Sequence, residues 1–345
     1  MARIGAGVAA VALGVALGGI APRLAAQSLS ATLPLTSLPG WTEDDHRAAI
    51  SAVRAACPLA PDVEFKRLCA KLPTAPDEET ARRFLEQHFV ARTIDGEGRL
   101  TGYYMPIYPA RLRPAEDFSA PVRPPPGDLP PADRTAAGRS AYADRAAIES
   151  RPATDALAWM RPEDLFFMQI QGAGVLALPG GERVRAVFAG ANGARFVGVA
   201  KTMTAAGLLD ADAASASAIH DWLADHRGAE AQAIMDTDPR YVFYRLESDD
   251  GQDPAGSAGL RLLSGRAIAV DPAYHRYGEL LWIAADAPTL AGAFPTYRRL
   301  TVALDTGSAI KGPDRVDLYV GRGAAAGAEA GRIRHDLRLY LLEAR

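Results

Sequence analysis

Cysteine is almost missing from this chain: Cys57 and Cys69, in "AACPLAPDVEFKRLCA", are the only pair. With no C-x-x-C and no Cys/His cluster, zinc binding and dithiol redox chemistry have no footing. Net charge is equally scant, −3 at neutral pH, which excludes a general electrostatic pull toward nucleic acid or anionic lipid. Any polymer the protein binds is therefore recognised locally. The common catalytic signatures are missing too: there is no G-x-S-x-G elbow, H-E-x-x-H, P-loop or helix-opening G-x-G-x-x-G. The histidines are scattered singly, at 46, 88, 220, 226, 275 and 335, and read as structural or solvated residues. No repeat of solenoid period runs through the chain.

What is present is an ordinary globular composition over 345 residues, 48% apolar and 23% charged, which fits about two domains. The N-terminus departs from it. Arg3 precedes the uncharged block "IGAGVAAVALGVALGGI" and then "APRLAAQS", the pattern of a secretory signal (residues 1–26) cut near Ala26. An uncleaved anchor is the alternative, because the apolar block is borderline for spanning a bilayer. In an oxidising compartment a Cys57–Cys69 bridge would stabilise the fold by about 3 kcal/mol; two buried thiols are the other reading.

Residues 42–92 carry helical patterning. Thr42 is expected as an N-cap ahead of "DDHRAAISAVRAA", and Pro76 near the start of "DEETARRFLEQHFV". "GRLTGYYMPIYPARL" reads as extended, and the prolines of 114–131 forbid a helix or central strand there. "LFFMQIQGAGVLALPGGERVRAVFAGANG" reads as strands split by "PGG" and "NG" turns, and two helical stretches follow. Short strands then return: "YVFYRL", "RAIAVDP", "ELLWIAAD", "RLTVALD", "VDLYVG" and "LRLYLLE". Many short apolar strands separated by Gly, Pro and Asp point to a β-barrel, built from both ends of the sequence with the middle block inserted.

Three aspartates stand at strand ends: Asp271 in "IAVDP", Asp305 in "VALDTG" and Asp317 in "RVDLYVG". Asp317, between Val316 and Leu318–Tyr319, sits where burial can raise its pKa and make it a general acid. Asp271 and Asp305 are also ordinary turn residues. A pepsin-type protease needs two D-T-G turns sharing a proton, and this chain has one, with too little chain after it for a second lobe.

Six segments in register resemble the membrane-bound lytic murein transglycosylase A family. They are "LTGYYMP" (100–106), "DLFFMQIQGAG" (164–174), "FAGANGARFVGVAKTM" (188–203), "GRAIAVDP" (265–272), "VALDTGSAIKG" (302–312) and "VDLYVGRGAAAGAEAGRI" (316–333), with "RLYLL" as the last strand. The resemblance implies a mainly β protein with N-terminal helices. A double-psi β-barrel domain (27–104 and 242–345) would hold a smaller, inserted β-barrel-like domain (105–241), with a glycan groove between them. It implies an exotransglycosylase that cleaves the β-1,4 MurNAc–GlcNAc bond of peptidoglycan without water or cofactor, leaving 1,6-anhydro ends. The family's general acid falls on Asp317, with Asp305 as a tuning neighbour.

Substrate hydrogen bonds are expected from Thr101, Gln171 and Asn192, and ring faces from Tyr103 and Tyr104, for which core packing is the rival reading. Gly172 and Gly174 let backbone approach the sugar or form a plain hairpin. Lys311 contacts sugar or Asp305, or is solvated. The implied partners are peptidoglycan glycan strands and cell-wall synthesis or division proteins, for a monomer acting in the periplasm. The sequence departs from the family at Ser308, where a second glycine is usual, at Ala173 (serine) and at Met105 (threonine). "LAAQ" stands where a lipoprotein "LAAC" would, which argues against a lipid anchor. An ordinary glycosidase on the same barrel and a non-catalytic wall-binding protein are the alternatives.

Overall fold

The structure, a computed structural model, describes residues 31–60, 62–130, 142–210, 214–287 and 296–345. The N-terminal signal-like block and the cleavage expected near Ala26 lie outside these residues.

A short strand β1 (Leu33–Pro34) leads to three helices, α1 (His46–Ala56), α2 (Val63–Cys69) and α3 (Glu78–His88), and then to the long strand β2 (Phe89–Met105). Each helix starts at an aspartate whose side chain accepts a backbone N–H from its first turn: Asp45 from Ala48, Asp62 from Phe65 and Asp77 from Thr80. Thr42 is not a cap. It lies in a 3-10 turn, Trp41–Glu43, and Asp45 takes the role. Pro76 likewise stands just before the α3 cap. The buried face of α1 is His46, Ala49, Ile50, Val53 and Ala56, the i, i+3, i+4, i+7 spacing of an amphipathic helix.

The insert contains β3 (Ile107–Pro109), β4 (Ala120–Val122), α4 (Arg145–Glu149), β5 (Ala158–Met160), α5 (Pro162–Gln171), β6 (Gly174–Ala177) and β7 (Arg183–Ala191). It continues through α6 (Val199–Ala205), α7 (Ala216–Asp225), α8 (Ala229–Met235) and β8 (Val242–Ser248). Its strands form a sheet of order β3-β6-β7-β8 and a β4-β5 ribbon. Two sequence expectations are corrected here. Residues 164–171 form the helix α5, not a strand. An apolar run alone does not separate a buried helix from a strand, whereas Pro162 followed by Glu163 and Asp164 is a helix-start signal. β8, assigned from sequence to the barrel, pairs with β7 from Val184↔Ser248 to Ala191↔Val242, so the insert runs past residue 241.

The chain then supplies β9 (Ala267–Ala269), β10 (Leu280–Asp286), β11 (Thr296–Asp305), β12 (Arg315–Arg322), α9 (Gly323–Ala330) and β13 (Arg334–Ala344). The order β2-β12-β9-β11-β10-β13 closes through β13–β2 pairing into a six-stranded barrel. β12 runs parallel to β2 and β11 parallel to β9; the other pairs are antiparallel. This is the double-psi β-barrel. Its interior is filled by Leu100, Ile268, Leu281, Ile283, Val316, Leu318 and Leu339, all 1% exposed or less. A second core, with Trp41, Leu85, Phe89, Trp282 and Leu300, joins the outer wall to α1–α3. Closure needs a close approach at Gly98, where a Cβ would lie 2.6 Å from the Asp314 carbonyl oxygen and 2.9 Å from that of Leu337.

Cys57 and Cys69 are bridged, tying the end of α1 to the end of α2 across a separation of 12 residues. Replacing both cysteines by serine should lower unfolding free energy by about 3 kcal/mol, read as a lower urea midpoint with a slope no smaller than wild type, because the unbridged unfolded chain exposes more surface. Reductant should reproduce the shift in the wild-type protein, and equal midpoints would show the bridge is dispensable.

Candidate active site

Alternation along β12 creates the site. Val316 and Leu318 point into the barrel, which leaves Asp317 and Tyr319 on the outer wall. Directly paired residues share a face. Asp317 stands opposite Thr101 of β2 on one side and Ala269 of β9 on the other. Ala269 in turn stands opposite Asp305 of β11. The two carboxylates therefore share the outer face two strands apart, about 9–10 Å between backbones, with one methyl group between them.

Asp317 is partly buried. Burial pushes its carboxyl pKa above the ordinary 3.8; the Thr101 hydrogen bond and the Arg315 charge pull against that, and the Asp305 charge adds to it. The Thr101 hydroxyl donates to Asp317 Oδ1 at 2.5 Å and accepts from Arg315 Nη2 at 2.8 Å. A hydroxyl has one proton, and Arg315 can only donate, so the Thr101 proton is directed at Oδ1. An acidic proton on Asp317 consequently resides on Oδ2, for which no hydrogen-bond partner stands among the described residues.

Asp305 is held differently. Its Oδ1 accepts from Ser257 N at 2.9 Å, Ser257 Oγ at 2.6 Å and Thr306 N at 2.9 Å, and Oδ2 accepts from the Tyr103 hydroxyl at 2.9 Å. Burial, followed by the Asp305 charge and hydrogen bond, raises the Tyr103 pKa well above its usual value, so it remains a phenol donor. Its ring packs 5.3 Å from that of Tyr319, whose hydroxyl donates to Asp253 Oδ1 at 2.8 Å.

The remaining expected site residues divide. Tyr104 and Gln171 join the two domains: Tyr104 N donates to Gln171 Oε1 at 3.2 Å. The Tyr104 ring lies on α9, where a Cβ at Gly327 would come within 2.8 Å of it. Gly172 is the left-handed residue that ends α5 (φ +85°), with open space around it, and Gly174 packs on Met168, so neither belongs to a hairpin turn. Lys311 is exposed and faces Asp271 at 3.8 Å instead of Asp305. Asp271 also accepts the Gly312 N–H at 3.0 Å, clamping the end of the D-T-G loop.

Asn192 is a correction as a sugar ligand, whereas the partly buried Thr101 hydroxyl, between Arg315 and Asp317, has its one proton directed at Asp317. Asn192 is wholly buried; its amide donates to the carbonyls of Ala143 and Pro239 and accepts from the N–H groups of Ala194 and Tyr241. It is a loop staple inside the insert. Met105, too, is buried and offers no surface to a ligand.

Sequence reasoning missed Arg315, Ala269 and Ser257. Arg315 was accessible, since it lies two residues before Asp317 on the same strand face; Ser257 carries no local signal. No group of three or more His, Cys, Asp or Glu side chains is placed to hold a metal ion among the described residues.

A closed β-barrel bearing one half-buried acid next to an inserted domain defines the class of the protein, and comparison supplies its family. Residues 99–245 match the MltA specific insert domain and residues 266–343 the 3D domain. The chain is 31% identical over 256 residues to the membrane-bound lytic murein transglycosylase A of Escherichia coli strain K12, an alignment covering 72% of this chain and 66% of that protein. The Vibrio cholerae protein of the same name is 29% identical over 257 residues, with 72% and 66% covered. The alignments thus span just under two thirds of these relatives' own length.

Among solved structures, a membrane-bound lytic murein transglycosylase from Agrobacterium tumefaciens superposes with a TM-score of 0.76 at 30% identity, covering 91% of this chain and 97% of that one. Escherichia coli MltA with bound chitohexaose gives 0.70 at 25% identity, covering 93% and 95%. The chain belongs to the membrane-bound lytic murein transglycosylase A family.

Thr101→Val keeps the shape of the side chain and removes the donor to Asp317. Because that hydrogen bond lowers the Asp317 pKa, its loss should move the carboxyl titration to higher pH in a carbon-13 NMR experiment. A titration identical to wild type would show that the Thr101 contact does not reach the carboxyl group.

Proposed function

We propose that this chain is a lytic transglycosylase of peptidoglycan, exported to the periplasm, in which Asp317 alone serves as acid and then base. The observation that carries this is the half-buried Asp317 with its raised pKa, its Oδ1 occupied by Thr101 and its Oδ2 free. Protonated Asp317 donates from Oδ2 to the glycosidic oxygen as the C1–O bond of N-acetylmuramic acid breaks. The carboxylate then takes the proton of the same sugar's C6 hydroxyl while that oxygen closes on C1. The 1,6-anhydro ring forms, Asp317 returns to its protonated state, and no water is consumed.

A hydrolase would need a second group to activate water or attack C1. Asp305 already accepts four hydrogen bonds, three of them at one oxygen, and is thereby a fixed charge beside Asp317 instead of a base for water. Tyr104 and Gln171, at the junction of the two domains, are suited to line the glycan path. Long-strand binding there supplies the energy that distorts the reacting ring.

Asp317→Asn should fold, sediment with purified sacculi and lose turnover by at least about a thousandfold. Mass spectrometry of wild-type digests should show muropeptides one water lighter than reducing ends. Full activity in the variant, or reducing ends in the wild-type products, would overturn the assignment.

The same substitution tests the ionisation cost. A carboxyl group whose pKa rises on folding favours the folded state below its unfolded pKa, and that contribution is lost as pH climbs through the folded value. Asp317→Asn should accordingly be more stable than wild type at pH 7, with the gap closing toward pH 3.8 and below. Thermal unfolding across pH 3–8 checks this, and a pH-independent gap would contradict it.

A further inference from the structure

The chain returns from the insert to the barrel through residues 249–266, a strap that crosses the outer wall beside the two carboxylates. Its start is fixed by Asp249, which pairs with both oxygens to Arg322 of β12 at 2.9 and 2.7 Å. Asp253 accepts the Tyr319 hydroxyl at 2.8 Å and the Ser264 hydroxyl at 3.1 Å. Gly256 lies so close to β11 that a Cβ there would meet the Leu304 carbonyl oxygen at 2.4 Å, and Ala258 N donates to that oxygen at 3.0 Å. Between these two contacts stands Ser257, which directs both its N–H and its hydroxyl to Asp305 Oδ1.

We propose that Ser257 is a positioning residue for the Asp305–Asp317 pair and that the 249–266 strap sets it, a role that rests on the transglycosylase reading above. Ser257 supplies two of the four donors to Asp305, both to one oxygen, which leaves the other oxygen to the Tyr103 hydroxyl. The carboxylate is thereby locked in the orientation from which its charge acts on Asp317 across Ala269. Thr306 and Tyr103 belong to the barrel's own segments, so Ser257 is the donor through which the connection to the insert reaches the acid. Ser257 is exposed and contributes nothing to the core, which makes it replaceable without threat to folding.

The test is Ser257→Ala, with Ser257→Thr as the conservative rescue, assayed on purified sacculi. Losing one charge-assisted hydrogen bond should lower kcat roughly tenfold and leave KM unchanged. With one of its four donors gone, Asp305 is held less firmly in the orientation that faces Asp317 and repels it less strongly, so the alkaline limb of the kcat profile should move to lower pH. Ser257→Thr should restore both. Wild-type kcat and limb in Ser257→Ala overturn the proposal, as does a lower kcat with the limb unmoved or a change in KM alone. If the wild-type protein releases no anhydro ends, the transglycosylase reading fails separately. The positioning role is then decided by carbon-13 NMR of Asp317 in Ser257→Ala, where a shift to lower pH supports it and an unmoved titration overturns it.

Discussion

Desolvation of the Asp317 carboxyl is the constraint around which the neighbouring strands are arranged. Enclosure by protein favours the neutral form and raises the pKa, which suits a proton donor. Unchecked, the same effect would leave a carboxyl group too weak an acid to give its proton away. Thr101 and Arg315 oppose it from one side, and Asp305 reinforces it from the other. The acid is thus tuned by burial and by three neighbours of opposing sign, Thr101 of β2, Arg315 of β12 itself and Asp305 of β11.

Barrel topology explains why these groups meet. In a plain up-and-down arrangement β12 would neighbour strands close to it in sequence. Here β12 lies between β2, from the N-terminal part of the barrel, and β9, the first strand after the insert. The parallel pairing with β2 places Thr101 level with Asp317, and the β9 pairings place Ala269 level with both carboxylates. A side chain larger than alanine at 269 would stand between the two charges. Because side chains alternate across a strand, a slip of one residue in any of these registers would send a member of the set into the barrel interior.

The insert is joined to this wall at both of its chain crossings. On the way out, Tyr104 bonds to Gln171 at the end of α5; on the way back, the strap binds Arg322, Tyr319, Leu304 and Asp305. The second crossing donates directly to Asp305, so under the proposed mechanism the placement of the insert and the geometry of the acid are not independent. One carboxylate suffices for the proposed reaction because the attacking hydroxyl belongs to the substrate, and the second carboxylate is then free to be a fixed charge.

By itself the sequence determined the helical N-terminus, the return of short strands that close the barrel and the candidate acid between Val316 and Leu318. Those features are written in local period and in the burial that alternation imposes on one strand face. Its own patterning read α5 as a strand, since an apolar run fits a strand as well as a buried helix, and it placed β8 on the wrong side of the domain boundary. It also took Asn192, which is wholly buried, for a ligand of the sugar. Whether a hydroxyl or amide faces a ligand or is consumed within the protein depends on partners far away in the chain: Thr101 on Asp317, Asn192 on Tyr241, Asp305 on Ser257. Only tertiary structure decided these, because hydrogen-bond partners are set by strand register and loop closure, and neither leaves a trace at the residue that uses it.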